Sequence, residues 1–364
     1  MREAREGRST PFGIYTRDGL PMDNTDIGGV KYFTRSRDRL EAWPQDYAQR
    51  PGEVFYGGHA TDQFGFTILN SLGRLWAIDR VEAETPLLYH SDIRQTRIRF
   101  LRPLLDLLSV PNPILHYTGP MRVGSAVVAN DLFGEQLGGR TTPEFRNWLA
   151  ERLPPTRPVD PDRKVYLTRT ALSPKLGRIA CEDVLEQNLA ANGYEIVAPE
   201  TLDLAGQIAL YQSAGTLLFP ESSALHLFAL VKRPEQSVGI ISRRREIPPL
   251  ILNQMTAFAP APPEIFDAID RIFYPPTSVI STSIAQLDFA RLGRVLSERK
   301  YIPSGAPWRS PTKEELQASL ESGLAENEAL VPEEKYAEFA RQIRRLRRRH
   351  GRAQARQMIS KIRV

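Results

Sequence analysis

The sequence predicts an α/β fold of two domains, the second of them built on a parallel sheet, with a helical extension at the C-terminus. Two observations predict it. Short apolar strands and helices alternate regularly after residue 164, and a proline-rich segment, 153–163, separates this region from a more mixed first half. The length of 364 residues suits two domains of about 100–200 residues each.

The second half predicts a parallel sheet. Its expected strands are 164–168, 194–198, 216–219 and 237–241, and its expected helices are 180–192, 203–213 and 222–232. Short apolar runs bounded by turn residues are typical of buried strands. Strands that alternate with helices through short links favour parallel pairing with right-handed crossovers.

The rest of the chain is less regular. Strands are predicted at 53–56, 86–90 and 123–129, helices at 65–79, 95–109, 141–152, 263–273, 283–299 and 312–349, and a loop at 247–262. The four prolines of 153–163 favour an extended linker. We therefore predict an N-terminal α/β domain over 1–152, this linker, a C-terminal Rossmann-like domain over 164–300 and a helical extension over 301–364.

The composition of the chain indicates in which cellular compartment we expect the protein. The single cysteine, Cys181, cannot form an internal disulfide, the first ten residues are polar, and the chain has no apolar run of about 18 residues. These features favour a cytoplasmic protein without a signal peptide or a membrane-spanning helix. Peripheral attachment at the inner face of the membrane stays open.

The basic charge belongs to the tail. The formal net charge is +5, yet residues 341–364 carry ten Lys and Arg and no acid, so the remainder is −5. Apolar residues recur at helical spacing over 336–364, which predicts a basic amphipathic helix. It could pack on its own protein, dock to a partner protein or lie on an anionic membrane surface. Nucleic-acid binding is disfavoured because the body is acidic and shows no nucleic-acid fold pattern.

Candidate ligand-binding residues lie where predicted strands end. Arg169 follows the first strand of the second half, and Glu221, Ser222 and Ser223 follow the third, before a helix that carries His226. Ligands of open α/β sheets bind at the carboxyl ends of strands, and helix N-termini favour phosphate. Alternatives stay open: Ser222 could cap the helix, His226 could be structural, and Arg169 could pair with Glu182.

Other chemistries have little support. The sequence contains neither a Gly-x-Ser-x-Gly elbow nor a P-loop, and its five histidines lack metal-ligand spacing. Asp160-Pro161-Asp162 has the spacing of an Asp-x-Asp metal motif. It lies in the predicted linker, and we interpret it as a solvated turn. We therefore expect no metal and no cofactor.

Several segments between about residues 53 and 245 resemble glycosyltransferase family 61. Strand 164–168 and the arginine that follows it resemble the family's pattern of a strand followed by Arg. The segment 178–182 resembles the family motif Arg-x-Ile-x-Asn-Glu. The segment 199–207 resembles a family segment in which Pro-Glu-x-Leu leads to Gln. The segment 219–226 resembles a family loop of the type Gly-x-x-Gly-Ser-Ala-Leu-His. The segment 64–76 resembles the family motif Phe-Gly-His-Phe-Leu-x-Glu-x-Leu-x-Arg-Leu-Trp. Their order and spacing together make the resemblance specific.

The chain departs from the family at several positions. Phe66 and Asn70 occupy the positions where the family has His and Glu. Phe219 and Ser222 replace the two glycines of the family loop, and Cys181 replaces the asparagine of the Arg-x-Ile-x-Asn-Glu motif. His59 or Asp62, just upstream, is therefore the candidate base. The losses also leave open a non-catalytic scaffold of a polysaccharide assembly.

The resemblance implies a GT-B-like architecture of two Rossmann-like domains that face a cleft, with the domain over 1–152 on the acceptor side and the domain over 164–300 binding the nucleotide sugar. It also implies a bacterial enzyme of cell-surface or exopolysaccharide biosynthesis. Its reaction would be an inverting, metal-independent transfer from a nucleotide sugar to a saccharide or lipid-linked saccharide acceptor. Arg169, Ser222 and Ser223 would contact the diphosphate, His226 would lie nearby and Glu221 would bind ribose hydroxyls.

Overall fold

The structure is a computed structural model. It describes residues 10–12, 14–22, 25, 33–35, 43, 45–91, 97–276, 282–324 and 328–359.

The strands are β1 (Thr10–Phe12), β2 (Phe33–Arg35), β3 (Ala48–His59), β4 (Leu87–His90), β5 (Ile114–Tyr117), β6 (Met121–Val127), β7 (Asp160–Leu167), β8 (Arg178–Ile179), β9 (Tyr194–Val197), β10 (Ala214–Pro220), β11 (Ser237–Ile241), β12 (Glu264–Phe266), β13 (Ile269–Tyr274), β14 (Ile284–Leu287) and β15 (Val331–Pro332).

The helices are α1 (Phe64–Ser71), α2 (Leu101–Leu107), α3 (Pro143–Arg152), α4 (Glu182–Ala190), α5 (Leu204–Ser213), α6 (Ala224–Ala229), α7 (Pro249–Phe258), α8 (Phe289–Glu298), α9 (Lys313–Glu321) and α10 (Glu333–Ile359). Short 3₁₀ helices occupy Leu75–Arg80, Glu135–Leu137 and Pro199–Thr201.

The first sheet is parallel and has the order β5-β4-β3-β6. It contains the three strands predicted in the first half, and it adds β5, which was not predicted. The predicted helix 65–79 is interrupted, because α1 ends at Ser71 and a 3₁₀ helix follows after Gly73. A β-carbon at Gly73 would overlap Asp131 and the carbonyl of Phe133, so another segment of backbone crosses close to this break.

The second sheet is also parallel and has the order β12-β11-β10-β7-β9. The four strands predicted there are confirmed. The linker prediction is wrong for 160–163, which belongs to β7, and Ala214 of β10 pairs with Asp160. Asp160-Pro161-Asp162 is therefore strand rather than turn, although it is exposed as expected. A proline is tolerated there because it lies at the start of the strand. The division into domains stays a prediction.

The segment after β11 differs most from expectation. Residues 247–262 were predicted as loop, yet α7 occupies most of them, because Pro249 is compatible with a first helical turn and Ile251 and Met255 are buried. The helix predicted over 263–273 is wrong. That segment forms β12, which pairs with β11, and β13, which pairs with β14.

A third, mixed sheet has the order β15-β13-β14-β8 and supports the C-terminal helices. The helix predicted over 283–299 is in part β14 and in part α8, and 312–349 divides into α9 and α10 around β15. Phe339 and Ile343 of α10 are buried, so this part of the helix packs on the protein itself. The last predicted stripe residue, Ile362, lies outside the described residues. No described helix is long and apolar enough to cross a membrane.

One buried hydrophobic cluster joins the two parallel sheets. It includes Leu69 and Phe133 from the first half and Phe219 and Phe228 from the second. The rings of Phe219 and Phe228 pack against each other in a tilted arrangement, with centroids 5.0 Å apart. A second cluster fills the space between the other face of the second sheet and the third sheet. Because a continuous core lies between them, the two parallel sheets hold each other in place.

Candidate functional site

The carboxyl ends of the two parallel sheets meet where α1 packs on α6. Helix α1 follows β3 and α6 follows β10, each after a short loop. A β-carbon at Gly65 of α1 would overlap Cδ2 of His226 and lie 3.0 Å from its Nε2 and 3.4 Å from Cβ of Ser223. Only glycine allows this approach, and it places the loops after β3 and β10 side by side.

The strand order of the second sheet identifies its ligand-binding edge. The chain moves outward from β7 to β9 and then returns to the other side of β7 with β10. The topological switch point therefore lies between β7 and β10, where open α/β sheets bind ligands. Arg169 lies just past the end of β7 and Glu221 immediately follows β10, so the structure brings these two predicted residues to the same place.

Arg169 is fixed by backbone groups. Its guanidinium donates to the carbonyl of Gly177 from Nη2 at 2.9 Å, and its own backbone N–H donates to Glu182 Oε1 at 2.9 Å. Glu182 therefore contacts the backbone N–H of Arg169 and does not form the simple side-chain ion pair that was the alternative. Burial lowers the pKa of Arg169, while Glu182, Glu200 and Glu221 act in the opposite direction. The charged guanidinium of Arg169 is therefore partly desolvated and lies near three carboxylates.

Glu221 is fully buried and held by a second arginine that the sequence analysis missed. Arg244 donates to Glu221 Oε1 from Nε at 2.8 Å and also from Nη2. Within the described part of the chain, Glu221 Oε2 is buried without a hydrogen-bond partner. A buried carboxylate oxygen left unsatisfied is costly, and a ligand hydroxyl would satisfy it.

Arg243 is the other residue that was missed. It is 5% exposed and donates to the carbonyl of Glu221 at 3.4 Å. Burial lowers its pKa to about 10, and Arg169 adds to that effect. Arg243 and Arg244 follow β11 directly, so the strand-end argument that selected Arg169 could have found them. Three guanidinium groups therefore gather around the carboxyl ends of β7, β10 and β11.

Neither serine of the predicted phosphate loop caps α6. Ser223 occupies the N-cap position with a helical backbone conformation, and its hydroxyl makes no capping hydrogen bond. The alternative that Ser222 merely caps the helix is therefore wrong. Ser223 is exposed and Ser222 is half-buried at the junction between the sheets. Both hydroxyls are placed where a ligand could reach them.

His226 is a buried histidine on the α6 side of the junction. Its Nδ1 lies 2.6 Å from Gln254 Oε1, and Gln254 Nε2 donates back to the His226 carbonyl at 3.0 Å. Burial lowers the pKa of His226, although the hydrogen bond with Gln254 opposes this. The ring is therefore neutral near pH 7, and its contacts are those of a residue that positions α6 against α1 and α7.

The candidate bases of the first half lie at the end of β3. His59 is buried, with its ring centroid 5.3 Å from that of His90, whose pKa burial holds well below its usual range. Asp62 forms an ion pair with Arg99 at 2.9 Å. The hydrogen bond from Arg99 lowers the pKa of Asp62, which makes this carboxylate a weaker base. Their catalytic roles stay predictions.

A cavity of about 480 Å³ opens beside Arg169. The loop between β7 and β8 forms one wall, with Leu172 and Leu176, and α9 forms the opposite wall, with Glu315 and Ser319. Apolar and polar groups are therefore available to a ligand that extends from the switch point. Among the residues that the structure describes, no group of three or more His, Cys, Asp and Glu side chains could hold a metal ion.

A known protein family matches the part of the chain that contains Arg169 and Glu221. The model of the family described as Glycosyltransferase 61 matches residues 59–238, just under half of the chain. The match begins at the last residue of β3 and ends in β11, so it includes the junction and both switch-point residues. It supports the assignment to glycosyltransferase family 61 and a glycosyltransferase-like function. No curated protein matches the chain.

Proposed function

We propose that this protein is an inverting, metal-independent glycosyltransferase with a GT-B-like arrangement, which transfers a sugar from a nucleotide-sugar donor to a saccharide acceptor. The observation that carries the proposal is the approach of Gly65 to His226 and Ser223. It brings together the carboxyl edges of two parallel sheets, each of which is a ligand-binding edge in α/β proteins. Two substrates bound at these edges would meet at the junction.

The second sheet would hold the donor. Arg169, Arg243 and Arg244 surround the switch point, and Arg guanidinium groups bind phosphate oxygens with good geometry. Ser222 and Ser223 would donate to the same diphosphate. The buried Oε2 of Glu221 would accept from ribose hydroxyls after a small movement of Arg244. The cavity beside Arg169 is large enough for the nucleoside.

The first sheet would hold the acceptor. In the transfer, a base removes the proton of an acceptor hydroxyl, the oxygen forms a bond to the anomeric carbon, and the bond from that carbon to the donor phosphate breaks. The nucleotide leaves with the electron pair, and the arginines stabilise its growing charge. Direct displacement inverts the anomeric centre. Positive charge from these side chains would serve in place of a metal ion.

The biological setting is part of the same proposal. We place the enzyme in the cytoplasm, in bacterial cell-surface or exopolysaccharide synthesis, with a free or lipid-linked saccharide as acceptor. Arg341, Arg344 and Arg345 are exposed on α10. They are available to anionic lipid headgroups or to an acidic partner protein at the inner face of the membrane.

Calorimetry tests the donor site. UDP, GDP, CMP and their common sugars would be titrated into the protein with EDTA present. We expect one nucleotide to bind preferentially and Arg169→Ala to weaken it by about 10- to 100-fold, as for loss of a charged hydrogen bond of about 1.5–3 kcal/mol. Arg163→Ala is the matched control, because Arg163 lies near the start of β7, the strand that Arg169 follows, and pairs with Glu195 away from the switch point.

The results separate the alternatives. Nucleotide binding that persists unchanged in Arg169→Ala would contradict the phosphate role. A folded wild-type protein that binds none of these compounds would favour the non-catalytic scaffold, and the family similarity would then concern the fold alone.

A further inference from the structure

The loop after β6 is pressed against the end of α1. Gly134 has φ +121°, and a β-carbon there would overlap the carbonyl oxygen of Leu69 and lie 2.9 Å from its carbonyl carbon. A residue with a side chain would be strained by this φ and would also push the loop away. Glycine at this position therefore allows the next residue, Glu135, to lie beside α1.

Glu135 is held by a side chain on the outer face of α1. Asn70 Nδ2 donates to Glu135 Oε2 at 3.1 Å, across 65 positions of sequence. Phe66, one turn earlier on the same face, is 39% exposed. Within the described part of the chain, no hydrogen bond to Glu135 Oε1 is formed. One carboxylate oxygen is thus oriented by Asn70, and the other is available to a ligand.

The same loop also contacts the second half of the protein. Asn253 of α7 donates to the carbonyl of Gly138 at 2.9 Å, and a β-carbon at Gly139 would overlap the carbonyl oxygen of Leu250. The residue after Asn253 is Gln254, which holds His226. The loop that carries Glu135 therefore contacts both α1 and α7, the two helices that pack against α6 and its His226.

The environment of Glu135 differs from that of Asp62. Partial burial raises the pKa of Glu135, and the hydrogen bond from Asn70 opposes this only in part. Asp62 instead pairs with Arg99, and its pKa is lowered. A carboxylate with a raised pKa binds a proton more strongly and is the better general base near neutral pH.

We propose that Glu135 is the general base of the transfer, with Asn70 as the residue that positions it. This inference rests on the proposed function. Glu135 Oε1 would take the proton of the acceptor hydroxyl as that oxygen bonds to the anomeric carbon. The bond to the donor phosphate breaks with its electron pair on the nucleotide. The proton then leaves Glu135 to solvent after the product departs.

The isosteric variant Glu135→Gln tests this role. It keeps an oxygen that can accept from Asn70, so the loop should stay in place, but it cannot take a proton. Nucleotide release would be measured from UDP-, GDP- and CMP-sugars with p-nitrophenyl glycosides as acceptors. We expect kcat to fall about 10²- to 10⁴-fold while nucleotide affinity is unchanged. Glu151→Gln, at an exposed position of α3, is the matched control.

Two further measurements do not depend on that variant. Asn70→Ala removes a hydrogen bond that lowers the pKa of Glu135, so the acid limb of the kcat/KM profile should move to higher pH. Formate should partly restore turnover in Glu135→Ala but not in Arg169→Ala, because it can replace a lost base and not a lost cation.

The failures of the two proposals are distinguishable. If the wild-type protein transfers sugar and Glu135→Gln keeps kcat within roughly threefold, the assignment of the base is wrong and the proposed function stands. An unshifted acid limb in Asn70→Ala, together with no rescue by formate, would overturn the assignment as well. If the wild-type protein neither binds nucleotides nor releases them, the proposed function itself fails.

Discussion

Gly65 of α1 lies directly against the imidazole of His226 of α6, so close that a β-carbon at Gly65 would overlap the ring. This contact joins two segments more than 150 residues apart in sequence. It is reinforced by Gln254 of α7, which hydrogen-bonds to both the ring and the backbone carbonyl of His226. Because the histidine is held on its other side, it has little freedom to move away from α1.

We expect Gly65→Ala to destabilise the protein by about 1–3 kcal/mol, because the added methyl group overpacks a buried contact. Urea denaturation would measure the change. Gly206→Ala in α5 is the control, since its β-carbon would approach only the side chains of Asp203 and Leu202 and helices generally gain from this substitution. Equal stability of the two variants would contradict the close approach of α1 to α6.

Arg244→Ala should lower the free energy of unfolding by about 3–5 kcal/mol, because it leaves the fully buried Glu221 carboxylate without its ionic partner. The double variant Arg244→Ala/Glu221→Gln should recover most of this loss, since the buried charge is removed as well. Arg299→Ala, which breaks an exposed pair with Glu264, should change stability by less than about 1 kcal/mol. An additive double variant would show that the pair is not coupled.

Asp131 should make stability depend on pH. Its pKa is raised from 3.8 to about 6, mainly by burial, although Arg74 lies 3.6 Å away. A raised folded-state pKa contributes stability that is complete below about pH 4 and is lost as the pH rises through about 6. Denaturation of wild type and Asp131→Asn from pH 4 to 8 would measure this. The wild type should lose up to about 3 kcal/mol relative to the variant over that range. A difference that does not vary with pH would refute the raised pKa.

Phe339→Ala should destabilise the protein by about 3–5 kcal/mol, because Phe339 is 2% exposed where α10 packs on the third sheet. The exposed Arg341→Ala, two positions away, should change stability by no more than about 0.5 kcal/mol. Thermal or urea denaturation would compare them. A Phe339→Ala variant as stable as wild type would contradict the packing of α10 on the third sheet.

The strands of the second sheet could be predicted because strands buried on both faces are continuous apolar runs. Val165 and Leu167 of β7 are of this kind, and the residue beyond such a strand, Arg169, could be selected for the same reason. The helix predicted over 263–273 was wrong, because a short apolar segment fits both the spacing of a helix and the alternation of a strand. Only the pairing of this segment with β11 and β14 shows that it forms strands.

Sequence by itself thus determined the alternation of strands and helices, the basic tail and the strand-end positions of Arg169 and Glu221, because these depend on local pattern and on a general property of parallel sheets. Tertiary structure alone decided that Glu221 is buried against Arg244 and that Glu135 meets Asn70. Those contacts join residues 23 and 65 positions apart, and they form only when packing of the sheets and the close approach of glycine backbone bring distant segments together.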